Sequence, residues 1–207
     1  MPILFYVARH GLTSEDLPGR EKVTGWKDIP LNVEGKAQAA KLGRFLKSKG
    51  ITKIISSDTK RAFDTATIIG EIINVPVTAT EKLRSWNMGA IQGMFSEAAK
   101  PFLEFFEKNP TLKPPKGEPF WSFFRRFKGA FWGIVAFIRK FPQSRILVLT
   151  HSQDLDLIEW LRDGVEPGEK FEFGEGLPAG GACEVRVYED GSITKRKIFG
   201  KGREAGG

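Results

Sequence analysis

The sequence predicts an α/β fold in which a mostly parallel central sheet is flanked by helices on both faces. Short apolar runs that are rich in β-branched and aromatic residues have the composition of buried strands. Longer segments, with apolar residues three or four positions apart, lie between these runs and have the spacing of amphipathic helices. Because the two kinds of segment alternate, most neighbouring strands are joined by a helix, which is the usual connection between parallel strands.

The first 80 residues contain three predicted strands and two predicted helices. In chain order they are strand 3–8, helix 33–49, strand 53–57, helix 59–73 and the short strand 75–80. Asn32 is the expected N-cap of the first helix, and Gly50 stands where a C′ glycine would end it. Ser57 or Asp58 is the expected cap of the second helix.

Residues 95–141 form an aromatic-rich helical insertion. We expect a helix over residues 96–108, a proline-rich loop, and a long helix over residues 119–140 with Pro119 in its first turn. The apolar side chains of the long helix fall three or four positions apart, which is typical of a stripe that faces a core. Its surplus of aromatic residues would also suit a lid or a dimer face.

The last part of the chain returns to strands. Residues 145–150 predict a buried strand, and a helix follows over residues 154–162. Residues 183–189 and 192–199 predict two strands joined by a hairpin turn at Asp190-Gly191. We therefore expect one domain over residues 1–200, which contains the insertion, and a flexible polar tail at 201–207.

Composition narrows the setting and the partners of the chain. No apolar run reaches the roughly 18 residues that span a bilayer, and the N-terminus lacks the basic and small-residue features of a signal peptide. The single cysteine, Cys183, excludes an internal disulfide. These features predict a cytoplasmic protein without a membrane partner. The net charge of +7 favours an anionic partner, but the basic residues are spread along the chain, so nucleic acid is not the expected ligand.

The chain has only two histidines, and each of them follows a predicted strand. His10 comes after the first strand, in Arg9-His10-Gly11, and His151 comes after the strand at 145–150. In an open α/β sheet, ligands bind beyond the carboxyl ends of the strands. We therefore expect both imidazoles to face one ligand site, where Gly11 would let the backbone approach the ligand closely.

Two arginines add positive charge to this predicted site. Arg9 precedes the first histidine, and Arg61 lies in the first turn of the helix that follows the second strand. Helix N-termini attract anions, and a guanidinium can bind two phosphate oxygens at once. The combination predicts a pocket for a phosphoryl group. Two histidines without a cysteine cluster or a His-x-x-x-His spacing make a poor zinc site, so no metal or other cofactor is expected.

The motifs around these residues resemble the histidine phosphatase superfamily, which includes the cofactor-dependent phosphoglycerate mutases. The matching segments are Arg9-His10-Gly11, TGWKDIPLNVEGKAQA at 24–39, IISSDTKRAFDTA at 54–66, LRSWNMGAIQG at 83–93 and VLTHS at 148–152. PKGEPF at 115–120 is similar to the family's Gly-Glu-Ser segment, with Pro119 in place of the serine. The resemblance implies a phosphoglycerate mutase-like three-layer sandwich and a small phosphorylated substrate.

The resemblance also implies a role for each site residue. His10 would be the nucleophile that becomes phosphohistidine, and a neutral imidazole, with an ordinary pKa of about 6.5, is a competent nucleophile near pH 7. The residues implied to bind the phosphoryl group or to lie beside the substrate are Arg9, Arg61, His151, Ser152, Thr24 and Gly25.

The sequence departs from the family at the general acid. The family has a glutamate in a Leu-x-Glu element where this chain has Ser85, and a hydroxyl is too weak an acid to replace it. Another carboxyl group takes its place, or the leaving group needs no proton, or catalysis has been lost. The candidate carboxyl groups are those of Glu81, Asp154, Glu97 and Asp16. Asp16 stands where the family has an asparagine, and its charge would repel a dianionic phosphate.

The expected function is therefore a metal-independent phosphatase that works through a phosphohistidine on His10. One alternative is a phosphoglycerate mutase-like phosphotransferase. Another is a catalytically weak protein that keeps the pocket in order to bind a phosphorylated ligand. The loop at residues 12–23 and the insertion are the expected sources of substrate specificity, and the sequence leaves a homodimer open.

Overall fold

Six strands and five α-helices make up the part of the chain that the computed structural model describes, residues 1–168 and 176–200. In chain order they are β1 (Ile3–Arg9), α1 (Val33–Leu46), β2 (Lys53–Ser57), α2 (Lys60–Ile73), β3 (Val77–Thr80), α3 (Ser96–Lys108), α4 (Phe120–Lys140), β4 (Ile146–Thr150), α5 (Ser152–Asp163), β5 (Ala182–Val187) and β6 (Ile193–Phe199). The tail expected at residues 201–207 lies outside the described residues.

The strands form one sheet in the order β3-β2-β4-β1-β5-β6. The first four strands in this order are parallel to one another, whereas β5 pairs antiparallel with both β1 and β6. The predicted α/β fold with a mostly parallel sheet between helices is therefore confirmed. The hairpin makes β6 antiparallel to β5, because a short turn can join only antiparallel strands.

Strand β1 shows why the sheet is covered on both faces. Phe5 and Val7 point into a core that includes the buried side chains of α4 and α5. Tyr6 and Ala8 point to the opposite face, into a core shared with α1 and α2. The sequence of a strand that is buried on both faces is a continuous apolar run, and the sequence of β1 has this form. Fully burying an aromatic side chain such as that of Phe5 stabilises the fold by about 1.5–3 kcal/mol.

Helix α4 turns its aromatic stripe inward, as the sequence predicted for a core-facing helix. The buried residues of this stripe are Phe120, Phe123, Phe124, Phe127, Phe131, Ile134, Val135 and Ile138. The Phe131 ring meets that of Phe5 edge to face, with 5.6 Å between the ring centroids. Helix α3 is different, because Ala99 is its only fully buried residue in the described structure. Pro119 is the N-cap of α4, one residue before the helix begins.

Two helices start at positions that differ from the prediction and that matter for the site. Thr59 is the N-cap of α2, in place of Ser57 or Asp58. Helix α5 begins at Ser152, two residues before the expected start at Asp154, so that His151 is its N-cap. Helix α5 therefore begins two residues after the end of β4, and Arg61 lies in the first turn of α2.

Across residues 1–168 and 176–200, no helix is both long and apolar enough to cross a membrane.

Candidate active site

The carboxyl ends of β1, β2 and β4 lie side by side at one edge of the sheet. Arg9 is the last residue of β1 and is in register with Thr150, the last residue of β4. His10 and His151 follow these two strands, and Arg61 follows β2 in the first turn of α2. The parallel arrangement therefore brings together the four side chains that the sequence had placed at strand ends.

The guanidinium of Arg61 lies between the two histidines and is almost fully buried, with 2% of the residue exposed. Its Nε donates to His10 Nε2 at 3.2 Å, and its Nη2 donates to His151 Nδ1 at 3.1 Å. Further hydrogen bonds run to the carbonyl oxygens of Gly25, at 2.8 Å, and Lys27, at 3.0 Å. Backbone oxygens thus hold the cation in place beside both imidazole rings, whose centroids are 5.2 Å apart.

Hydrogen-bond partners determine which nitrogen of each imidazole carries the proton. His10 Nδ1 lies 2.8 Å from the carbonyl oxygen of Gly11, which can only accept, so Nδ1 is protonated and Nε2 keeps its lone pair. His151 Nδ1 accepts from Arg61, so its proton is on Nε2, which lies 3.0 Å from Ser57 Oγ. The nitrogen of His10 that faces the arginine therefore has the lone pair that a nucleophile needs.

Burial and positive neighbours keep both imidazoles neutral. Burial, with the charges of Arg61 and Arg9, lowers the pKa of His10 to about 3. Burial and Arg61 likewise hold the pKa of His151 well below its ordinary value. Burial lowers the pKa of Arg61 to about 10, which still leaves the guanidinium charged at neutral pH. The cluster therefore combines a fixed cation with two neutral imidazole rings.

The second arginine of the cluster, Arg9, is paired with a carboxylate. Arg9 Nη2 donates to Asp16 Oδ1 at 3.2 Å, and Arg9 Nη1 donates to the carbonyl oxygen of Leu177 at 3.0 Å. The other oxygen of Asp16 accepts from the backbone N–H and the hydroxyl of Thr13, at 2.9 and 2.6 Å. Burial by itself would raise the pKa of Asp16, but His10, Thr13 and Arg9 together lower it. Asp16 is therefore an ionised member of the site.

Comparison with known proteins identifies the family. Residues 5–196 match the profile of the histidine phosphatase superfamily, branch 1. The chain belongs to the histidine phosphatase superfamily. The recognition made from the motifs is confirmed, and the match covers every element from β1 into β6.

Some relatives of this superfamily member carry phosphatase names, and others are named as probable phosphoglycerate mutases. A broad-specificity phosphatase of Saccharomyces cerevisiae is 38% identical over 104 residues, which are 47% of this chain and 44% of that protein. A Bacillus subtilis protein named as the uncharacterized phosphatase PhoE is 29% identical over 145 residues, which are 70% of this chain and 69% of that protein. The chain thus matches less than half the length of the yeast relative and about two thirds of the bacterial one.

A solved structure of mycobacterial glucosyl-3-phosphoglycerate phosphatase has the same fold. It superposes with a TM-score of 0.77 over 97% of this chain and 99% of its own, at 20% sequence identity.

Ser85, which the motif resemblance aligns with the family's glutamate, directs its hydroxyl to the backbone. Ser85 Oγ donates to the Gly25 carbonyl oxygen at 3.1 Å, the same oxygen that accepts from Arg61. The carbonyl oxygen of Ser85 accepts from Trp26 Nε1 at 2.7 Å and from Arg126 Nη2 at 3.1 Å. The residue therefore joins two loops at the site and supplies no acidic proton.

The other candidate acids lie in three different surroundings. Glu81 has a side chain that is 75% exposed and pairs with Arg84, and Glu97 is exposed in the first turn of α3. Neither of them contacts the four clustered side chains within the described residues. Asp154 is fully buried and accepts from the Thr150 hydroxyl and, at 3.2 Å, from the backbone N–H of His151. Burial raises the pKa of Asp154 to about 7.

The residues implied to lie beside the substrate have more modest contacts. Gly25 has φ of +51°, in the left-handed region that favours glycine, and a Cβ there would come within 2.1 Å of Gln92 Oε1, so the Gln92 side chain would have to move. Thr24 Oγ1 lies 3.4 Å from the carbonyl oxygen of Lys22. Ser152 is the first residue of α5, and its hydroxyl lies beside Gly176.

Sequence reasoning missed several polar groups that support the cluster. Ser57 and Thr59 place hydroxyls 3.0 and 3.3 Å from His151 Nε2. Thr65 Oγ1 accepts from the Gly11 N–H at 3.1 Å and donates to the Arg61 carbonyl at 2.7 Å. Ser57 could have been found, because it ends the predicted strand at the same edge of the sheet. Within the described residues, no group of three or more histidine, cysteine, aspartate or glutamate side chains is placed to hold a metal ion.

Proposed function

We propose that the chain is a metal-independent phosphatase that acts through a phosphohistidine at His10. The observation that carries this proposal is the position of His10 Nε2, an unprotonated nitrogen 3.2 Å from the charged Nε of Arg61. Nucleophile, fixed cation and second histidine lie within one buried cluster, which is what attack on a phosphoryl group requires. The phosphatase names of the relatives support the same activity.

The reaction has two steps. His10 Nε2 attacks the phosphorus, the new N–P bond forms as the P–O bond to the leaving group breaks, and the leaving group departs as an anion that takes a proton from the solvent. Arg9, Arg61 and His151 stabilise the charge on the three equatorial oxygens. Water then attacks the phosphohistidine, the N–P bond breaks, and inorganic phosphate leaves with His10 restored. The Gly11 carbonyl, which accepts from Nδ1, stabilises the positive ring of the intermediate.

The leaving group determines how well the first step proceeds. Ser85 supplies no proton, and Asp16 is ionised. Asp154 accepts a hydrogen bond from the backbone N–H of His151 and has none with the side chain of Arg61 or His10 in the described structure. Losing a positioned acid typically costs 10²–10⁴-fold in rate, roughly 3–5 kcal/mol of barrier. Phosphate compounds with acidic leaving groups, such as phenols or acyl groups, are therefore the best substrates.

The second candidate function is a catalytically weak protein that binds phosphorylated ligands with the same residues. It is favoured by the hydroxyl of Ser85, which is committed to the Gly25 carbonyl, while no carboxyl group stands at that position. This candidate predicts binding of phosphate with turnover no faster than that of a variant without His10.

A single-turnover experiment separates the two candidates. Radiolabelled aryl phosphate is mixed with excess protein, the reaction is stopped with alkali, and label on the protein is measured for wild type and for His10→Ala. We expect alkali-stable, acid-labile label in wild type only, with steady-state turnover lost in the variant. Equal turnover in both proteins, or no label in wild type, would overturn the phosphohistidine proposal.

A further inference from the structure

Asp16 places a negative charge inside the cluster that is expected to bind the phosphoryl group. The carboxylate accepts from Arg9, one of the two guanidiniums of the site, and 16% of its side chain is exposed. Its negative charge reaches the nucleophile, because it opposes the effects of burial, Arg61 and Arg9 that lower the pKa of His10. Any anion bound between Arg9 and His10 would therefore lie near this carboxylate.

Asp16 is fixed in this position by its own loop. Its Oδ2 accepts both the backbone N–H and the hydroxyl of Thr13, while Oδ1 accepts from Arg9. The carboxylate would have to break three hydrogen bonds to turn away from an incoming anion. Its charge is therefore a permanent part of the site and does not leave when a ligand arrives.

The charges of the cluster sum to one positive unit. Arg9 and Arg61 contribute two positive charges, Asp16 contributes one negative charge, and His10 and His151 are neutral. The next pair outward, Glu15 and Lys27, is an ion pair with no net charge. Asp154 lies on the other side of the His151 backbone, to which it is hydrogen-bonded.

From this balance we propose that Asp16 makes the site selective for a phosphoryl group that carries a single negative charge. The inference rests on the proposed function, since it concerns the phosphoryl pocket of the same site. A doubly charged phosphate would face the carboxylate at short range, and like charges that share a site are not both ionised without cost. The doubly charged phosphate binds only when either the phosphate or Asp16 takes up a proton. The matching ligands are a phosphate monoester in its protonated form and a phosphodiester.

Phosphate binding as a function of pH tests this proposal without any need for turnover. Calorimetric titration of inorganic phosphate from pH 5 to pH 8 is carried out on wild type, Asp16→Asn and Glu15→Gln. For wild type we expect the dissociation constant to rise about tenfold per pH unit above the second ionisation of phosphate, because only the singly charged fraction binds. Asp16→Asn keeps the shape but removes the charge, and its affinity should not fall across this range.

Two controls isolate the effect of Asp16. Glu15→Gln removes one negative charge from the adjacent residue, which pairs with Lys27 rather than with Arg9, and it should keep the pH dependence of wild type. Burial raises the pKa values of Asp154 and of Asp156, which interacts with Arg9, to about 7, but both groups are present in all three proteins, so their effects cancel in the comparison. Dimethyl phosphate keeps one negative charge from pH 5 to pH 8. If its competition with phosphate is independent of pH, the site accepts phosphodiesters. If it does not compete, the ligand class is restricted to protonated monoesters.

The outcomes distinguish this inference from the proposed function. If wild type binds phosphate equally well at pH 5 and pH 8, or if Asp16→Asn shows the same loss as wild type, selectivity for a single charge is wrong. Loss of turnover in His10→Ala would still support the phosphatase. If wild type does not bind phosphate at any pH, both proposals are overturned.

Discussion

The Nε atom of Arg61 lies 3.2 Å from Nε2 of His10, while Nη2 of the same guanidinium lies 3.1 Å from Nδ1 of His151. One cation thus orients both histidines of the chain. It also contributes to the low pKa of each ring, because a nearby positive charge disfavours protonation. Burial, together with the cation that would bind the phosphoryl oxygens, therefore keeps His10, the proposed nucleophile, and His151 neutral.

Replacing Arg61 by alanine should lower kcat by roughly 10²–10³-fold, since a preorganised donor to the transition state is lost. Arg61→Lys should recover little, because an ammonium cannot contact both imidazoles and two carbonyl oxygens in the geometry of a guanidinium. The measurement is steady-state hydrolysis of an aryl phosphate. Arg44→Ala, an exposed arginine of α1, is the matched control and should hydrolyse at the wild-type rate. A wild-type rate for Arg61→Ala would contradict the assigned role.

Neither imidazole should titrate between pH 5 and pH 8. The pKa of His10 is about 3 in the folded protein, against an ordinary value near 6.5, so the folded state binds a proton less readily than the unfolded state. The two rings therefore contribute stability above pH 6.5 that is lost as the pH falls toward the folded values. Since the chain has only two histidines, imidazole resonances in a pH series of NMR spectra give a direct readout. A resonance of the folded protein that titrates with a midpoint near 6.5 would contradict this expectation.

The residue at position 85 should control the response to the leaving group. In wild type, kcat should fall steeply as the pKa of the leaving group rises, because no acid protonates the departing oxygen. Ser85→Glu should flatten this dependence and increase the hydrolysis of simple alkyl esters. Ser85→Ala, which loses only the hydrogen bond to Gly25, should keep the wild-type slope and lose about 1 kcal/mol of stability. Equal slopes for wild type and Ser85→Glu would show that this position does not determine leaving-group preference.

Asp154 should make the stability of the fold decrease as the pH rises from about 4 to 7. Burial raises its pKa to about 7, above the ordinary value of 3.8, so the folded state favours the protonated form. This contribution is complete below pH 3.8 and is lost as the pH rises toward and through 7, by about 1 kcal/mol between pH 6 and pH 7. Asp154→Asn cannot ionise and should lose less stability over that interval in urea titrations. The exposed Glu71→Gln should behave like wild type, whereas equal losses in wild type and Asp154→Asn would contradict the assignment.

Gly11→Ala should destabilise the protein and impair the site. A Cβ at this position would come within 2.4 Å of the carbonyl oxygen of Gly35 in α1, and that backbone cannot move without shifting the helix. Gly129→Ala in α4 is the matched control, because nothing lies within 4 Å of its Cβ and alanine favours the helix by about 0.5–1 kcal/mol. Thermal unfolding should show opposite shifts for the two variants. Equal melting temperatures for wild type and Gly11→Ala would rule out the close approach.

Much of the fold and the centre of the site could be predicted because the signals are local. The apolar runs before His10 and His151 mark buried strands, and parallel strands place their carboxyl ends at one edge, so the two histidines had to be close. The stripe of α4 was recognised for the same reason, since helical spacing shows which face is buried. The glycine in Arg9-His10-Gly11 has its explanation in the contact with Gly35.

The remaining features depend on contacts that the sequence does not display. Leu177, whose carbonyl oxygen binds Arg9, is 168 residues away and has no polar side chain to mark it. Glu81 and Glu97 flank site motifs in the sequence, but both side chains are exposed, and local spacing does not show this. The start of α5 at Ser152 depends on Asp154, which accepts the backbone N–H of His151. Asp154 thus supports the position of His151 rather than marking the start of the helix.

A crystal structure of the protein with vanadate tests most directly whether Arg9, His10, Arg61 and His151 act on one phosphoryl group. Vanadate adopts the five-coordinate geometry of phosphoryl transfer. We expect a bond from vanadium to Nε2 of His10, with the equatorial oxygens in contact with Arg9, Arg61 and His151. Vanadate bound elsewhere, or bound at this edge of the sheet without a bond to His10, would contradict the account.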